Sequence, residues 1–311
     1  MVHRKTAAAG LAAVACVAVA ACSSGGSGKS SSSSGSNPLA PSTSSSVVVG
    51  SANFPEDELL AQIYADALQG AGVKVTTKLN IGAREVYYPE VTKGAISIIP
   101  EYNGALLTTS VDPKSTAAST ADVNAALKAK LPSTVEILNS AAAQDKDSIT
   151  VTQKTATQYH LKSISDLSPV AKNFVIGGPS EFKTRADGIV GLKNTYGLTF
   201  KSFSPLDESG PITVAALQSG KVQAADVFTT TPQIITDHFV SLSDPKNMFA
   251  AQNVTPLVYK KAASAKVVST LNAVSAKLTT AELLAMDKSL TIDHASYTTV
   301  ASNFISQQGL K

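Results

Sequence analysis

Cysteine is almost missing from this chain. There are two in 311 residues, Cys16 and Cys22, both within the first 22 positions. From Val47 onward no thiol is available for a disulfide, a zinc thiolate site or a cysteine nucleophile. A body of about 265 residues does not need disulfides, because a core of that size suffices. Tryptophan is absent, and aromatic residues make up only 5% of the chain. Charged residues account for 16%, with no basic run and no basic–aromatic interleaving, so nucleic acid is not an expected partner. Histidine is scarce too: His160, His238 and His294 remain beyond the leader, without metal-ligand spacing. Neither G-x-S-x-G nor H-E-x-x-H occurs, so neither an enzyme nor a metal or other cofactor is expected.

What is present begins with a leader. His3, Arg4 and Lys5 form a positive start, Ala7 to Ala20 an apolar run, and "VAAC" at 19–22 a small-residue cleavage site. This pattern predicts a secretory signal over 1–21, too short for a membrane-spanning helix. "VAAC" also resembles the bacterial lipobox, which implies lipidation of Cys22 and anchoring to the outer face of the cell membrane. Residues 23–46 hold thirteen serines in 24 positions. Such a tract cannot bury enough apolar surface to offset its ordering entropy, so 22–46 is expected to be a flexible tether. Its "GSGKSS" lacks the first glycine of a phosphate-binding loop, since position 23 is serine. No long apolar run follows the signal, so no fused permease is expected.

The body alternates strands and helices. "SVVVG" reads as a strand buried on both faces, and "PEDELLAQIYADALQGAG" as a helix with proline and acids in its first turn. Leu59, Leu60, Ile63, Tyr64, Ala67 and Leu68 form its apolar stripe, and "VKVTTKL" then alternates as a strand. This βαβ unit and its successors predict an α/β fold. "ISII" is expected to stop at Pro100, with Asn103-Gly104 turning the chain. Loops after strands recur at 50–54, 100–104, 178–185 and 228–233. Ligands of open α/β sheets sit beyond the carboxyl ends of strands, which makes these loops candidates for one cleft.

Four segments, "VVVGSANFPEDELLAQIYADAL", "LNIGAREVYYPEVTKGAISIIPEYNGALL", "GGPSEFKTRADGIVGLKNTYGL" and "AALQSGKVQAADVFTT", occur in an order that resembles the substrate-binding lipoproteins of osmoprotectant ABC importers. Members of that family take glycine betaine, choline, carnitine or proline betaine. The resemblance covers nearly all of 47–311. It implies a two-lobed type II binding-protein fold, with lobe one from 47–148 plus 253–311 and lobe two from 149–252. It further implies hinge closure on a small zwitterionic or cationic solute, a monomeric receptor, and delivery to ABC permease subunits.

Relatives hold quaternary ammonium groups in a tyrosine cage, whose ring faces attract cations, and take the ligand's carboxylate with an arginine. Carried over position by position, the first cage tyrosine falls on Tyr102 and the arginine on Arg185. The tyrosine before "TTD" becomes Phe228, followed by Thr229. The tyrosines before the crossing strand and before "PLV" become Asp147 and Gln252. The threonine after the tyrosine–glycine turn becomes Ala105. Arg84 either faces the cleft or pairs with Glu85 or Glu101, and Arg185 has Asp187 or Glu181 as alternative partners. Tyr87 is expected in the core and Tyr88 on a helix surface. A cage with two aromatics, a carboxylate and an amide leaves room for choline, carnitine, an ergothioneine-like betaine or another cationic or polar solute. A sensor lipoprotein on the same fold is the alternative to import.

Overall fold

A computed structural model describes residues 46–310; the expected signal, Cys22 and the tether up to residue 45 lie outside them. Ten strands form two five-stranded sheets. The first holds β1 (Val47–Gly50), β2 (Val75–Lys78), β3 (Ile98–Tyr102) and β4 (Val135–Ile137), together with the last strand, β10 (Val254–Tyr259), in the order β2-β1-β3-β10-β4. The second holds β5 (Ile149–Thr152), β6 (Val175–Gly178), β7 (Ser202–Pro205), β8 (Ala224–Asp226) and β9 (Phe239–Ser241), in the order β7-β6-β8-β5-β9. Each sheet is parallel on one side and antiparallel where a crossing strand joins it. Among the described residues no helix is long and apolar enough to cross a membrane.

The first βαβ unit shows how local chemistry sets the frame. Pro55 occupies the first turn of helix Pro55–Gly70, where its missing N–H costs nothing, and Phe54 precedes it in extended conformation. The expected stripe is buried in full, and the helix packs on Tyr297–Gln308 and Ala265–Lys277. Each buried leucine or isoleucine there contributes about 1.5–3 kcal/mol. Glu56 and Asp57, read from the sequence as first-turn acids, are also buried.

β3 departs from expectation. The strand does not stop at Pro100 but runs through it to Tyr102, with Pro100 opposite Pro256 of β10. The Pro256 carbonyl accepts from the Leu138 N–H, on the side away from β3. The proline pair is therefore a non-hydrogen-bonded one in the antiparallel ladder, where neither N–H is needed. Asn103 and Gly104 open a short helix, Asn103–Leu106, rather than a turn. A Cβ at Gly104 would lie 2.4 Å from the Ala251 carbonyl oxygen, so only glycine lets this segment approach the crossing strand.

The chain passes between the sheets twice, before β5 and before β10. The two crossings lie side by side: Gln144 bridges Asn253, the Asp145 N–H donates to the Gln252 carbonyl, and the Val254 N–H to that of Ala143. Asp147 and Gln252 are tied reciprocally, with the Asp147 N–H on Gln252 Oε1 at 2.7 Å and Gln252 Nε2 on Asp147 Oδ2 at 2.6 Å.

Candidate functional site

A cavity lies where these crossings meet the strand-end loops. Of the seven residues singled out from the sequence, six line it: Arg84, Tyr102, Asp147, Arg185, Phe228 and Gln252. Thr229 does not. It is exposed, its N–H donates to the Lys146 carbonyl, and its hydroxyl accepts from the Lys146 N–H. The neighbouring Thr230 is buried instead and donates its hydroxyl to Glu56 Oε2 at 2.6 Å.

The aromatic wall has a member that the sequence reading missed. Phe54 packs 5.9 Å from the Tyr102 ring, tilted by 34°, and 5.3 Å from Phe228 in an edge-on contact. Three rings thus bound one end, and Tyr87 adds a buried fourth on the wall. Phe54 immediately precedes a proline at a helix start, a position that reads as packing; its placement after a strand's Gly-Ser loop was the available clue. The Tyr102 hydroxyl donates to Glu56 Oε1, which fixes the ring's orientation from behind.

Both arginines are committed. Arg84, on helix Arg84–Lys93, places Nε and Nη2 on the fully buried Glu101, with Nη2 to Oε2 at 2.9 Å, and Nη1 on the Thr109 hydroxyl. Glu101 also accepts from the Tyr87 hydroxyl and the Tyr102 N–H. Of the open alternatives for Arg84, the structure takes the pairing with Glu101 while keeping the residue on the cavity wall. Arg185 pairs with neither Asp187 nor Glu181. It crosses to the other lobe and grips Glu85 through Nε at 3.0 Å and Nη2 at 2.9 Å. Two more bonds join the lobes, Thr230 to Glu56 and Thr108 to Asp187 at 2.9 Å.

The remaining polar wall is acidic: Asp145, Asp147, Asp187 and Glu208. Burial pushes the Asp145 carboxyl well above the usual range, with Glu56 adding to the rise. Burial likewise brings Asp187 to about 6, with Asp147 nearby, and Glu208 to about 7. Glu208 Oε2 is buried without a hydrogen-bond partner. Behind Asp147, Asp226 is 1% exposed, and burial with Asp147 and Asp187 nearby pushes its carboxyl well above the usual range. Among the described residues no group of three or more His, Cys, Asp or Glu is arranged to hold a metal ion. The cavity therefore offers ring faces and acceptors in excess of free cations, an environment suited to a positively charged guest.

Residues 45–307 match the OpuAC family, described as the substrate binding domain of ABC-type glycine betaine transport system. The chain is 31% identical over 102 residues to an ergothioneine transport permease/ergothioneine binding protein, EgtU, of Helicobacter pylori; the match spans 33% of this chain and only 18% of that protein. It is 22% identical over 258 residues to the carnitine transport binding protein OpuCC of Listeria monocytogenes, covering 79% of this chain and 81% of the relative. Among solved structures, a glycine betaine/carnitine/choline ABC transporter protein superposes with a TM-score of 0.64 at 21% identity, over 85% of this chain and 99% of the other, a likeness of fold. The two-sheet architecture, the cleft and the family match over nearly the whole described chain agree: this protein belongs to the OpuAC family of ABC-transporter substrate-binding domains.

Proposed function

We propose that the protein is a monomeric, lipid-anchored extracytoplasmic receptor that closes on a small quaternary-ammonium or related cationic solute and hands it to an ABC permease. The observation that carries this reading is the convergence of Phe54, Tyr102 and Phe228 on a cavity also lined by four carboxyls, with its two arginines already paired to Glu101 and Glu85. Ring quadrupoles and carboxylates both favour a cation that sheds its water on entry, and each desolvated ring is worth up to about 2 kcal/mol. In this reading Cys22 carries the anchor, residues 22–46 form the tether, and the boundaries 47–148 plus 253–311 and 149–252 delimit the lobes. The bonds Arg185–Glu85, Thr108–Asp187 and Thr230–Glu56 are the contacts that closure makes. The stretch of identity with the ergothioneine protein favours a second reading of the same site, in which the ammonium belongs to a larger betaine bearing a heterocycle.

Titration calorimetry with choline tests the rings. Tyr102→Ala and Phe54→Ala are each expected to weaken binding at least tenfold, the equivalent of about 1.4 kcal/mol. Tyr102→Phe keeps the ring and loses only the bond to Glu56, so it should stay much closer to the parent. Equal losses for the Phe and Ala variants would assign the effect to the hydroxyl and remove the cage.

A further inference from the structure

We infer that the cleft selects a cation that lacks a carboxylate and carries N–H or O–H donors, with Glu85 as the residue that sets this selectivity. The inference rests on the receptor reading and narrows its ligand class. A betaine needs two things from a site: a surface for the ammonium and a free cation for the carboxylate. The wall contains two cations, and each is already paired with a carboxylate of the chain. All three guanidinium nitrogens of Arg84 make a bond, to Glu101 or Thr109. The Nε–Nη2 edge of Arg185, suited to a bidentate carboxylate, already holds Glu85. A ligand carboxylate that takes this bidentate edge displaces Glu85, and it then sits among Asp147, Asp187 and Glu208.

The acceptors point the same way. Glu208 lines the cavity, and among the described residues its buried Oε2 has no donor. A buried acceptor left unpaired carries an uncompensated desolvation cost, which a ligand N–H or O–H recovers and a trimethylammonium methyl cannot. Guanidinium or primary ammonium groups supply both charge and donors, while the rings accept the apolar stem or a second cation. Glu85 is suited to the selecting role because it is half exposed at the rim. Its loss buries no new charge on its own side, whereas it returns the arginine edge to the cavity.

The test compares three probes on the purified protein by calorimetry at pH 8: agmatine, which has a guanidinium, an ammonium and no carboxylate; choline, which has one hydroxyl donor; and glycine betaine. Agmatine and choline are expected to bind at least tenfold more tightly than glycine betaine. In Glu85→Gln the ratio should move at least tenfold towards glycine betaine, because Arg185 is released to take its carboxylate. Glu208→Gln should weaken agmatine at least tenfold; if Glu85→Gln does not fold, this variant and the parent's ratio decide. Preference of the parent for glycine betaine overturns the inference and leaves the receptor reading standing. An unmoved ratio in folded Glu85→Gln removes Glu85 from selectivity, and an unmoved agmatine affinity in Glu208→Gln removes the donor requirement. Failure of all three probes to bind overturns the receptor reading itself.

Discussion

Arg84→Met is expected to cost about 3–5 kcal/mol of unfolding free energy, measured by urea denaturation at pH 7. Glu101 is fully buried on β3, and among the described residues Arg84 supplies its only counter-charge at bonding distance. Removing one partner of a buried ion pair leaves the other uncompensated in a low-dielectric setting, which is far more harmful than removing both. The Tyr87 hydroxyl and the Tyr102 N–H remain on Glu101, but hydrogen bonds alone do not offset its desolvation. The double variant Arg84→Met/Glu101→Leu should therefore regain more than half of the loss. A double variant as unstable as the single one would show that Arg84 stabilises the fold by its packing instead.

The second large effect is on pH. Asp287 is buried beside Glu56 and Asp145, and burial lifts its carboxyl from 3.8 to about 7. Thr230 bonds into the same cluster, and Glu56 itself is raised well above its usual range by burial and by Asp287. Asp187, facing Asp147, Arg185, Arg84 and Thr108, is raised to about 6. Glu208, facing Arg185, Glu181, Arg84 and Asp147, is raised to about 7. A carboxyl raised on folding binds more protons in the native state than in the unfolded chain throughout the interval between its two pKa values. Stability is then greatest at low pH and falls as pH rises towards 7. Between pH 5 and 8 Asp287 alone contributes a loss of about 3 kcal/mol, and the others add to it. Lowered carboxyls such as Asp112 and Asp166 act below pH 4 and do not oppose the trend in this window. Denaturant midpoints at pH 5, 6.5 and 8 should thus decline steadily, opposite to a protein governed by paired surface carboxylates. A saturating cation at pH 8 should reverse part of the decline. A flat or rising series would mean that these carboxyls are ionised in the fold.

Much of the frame is legible in the chain because periodicity and punctuation agree. The apolar run at Val47, Pro55 at a helix start and the stripe from Leu59 to Leu68 all point to one βαβ unit. The short strands β4, β7 and β9 lack such a signal: each is three or four residues, and Ser202–Pro205 carries a single apolar side chain between serines. Pro100 misled because a proline breaks a strand only where its N–H is needed, and that depends on a partner more than 150 residues away. At the site, aromatics and arginines could be named by type and family pattern. Their engagement could not. Glu85 reads as an ordinary first-turn acid, and its bond to Arg185 spans 100 residues of chain. Glu208 stands in a polar loop after β7, where nothing local marks an acceptor buried without a donor. Phe54 was hidden for a related reason, since a ring beside a helix start is ordinary packing until a second lobe supplies Phe228.

The paired crossings have a mechanical consequence. A single strand between two bodies acts as a swivel, free to twist about its own axis as well as to bend. Here two antiparallel passes are cross-stitched by the Gln144–Asn253 bridge and by the Asp147–Gln252 side chains. Such a ribbon resists torsion and flexes in one plane, so the cleft gapes like a book about its spine. Asp147 and Gln252 are themselves on the cavity wall, which places the spine inside the candidate site, where a guest would touch the leaves and the stitching together.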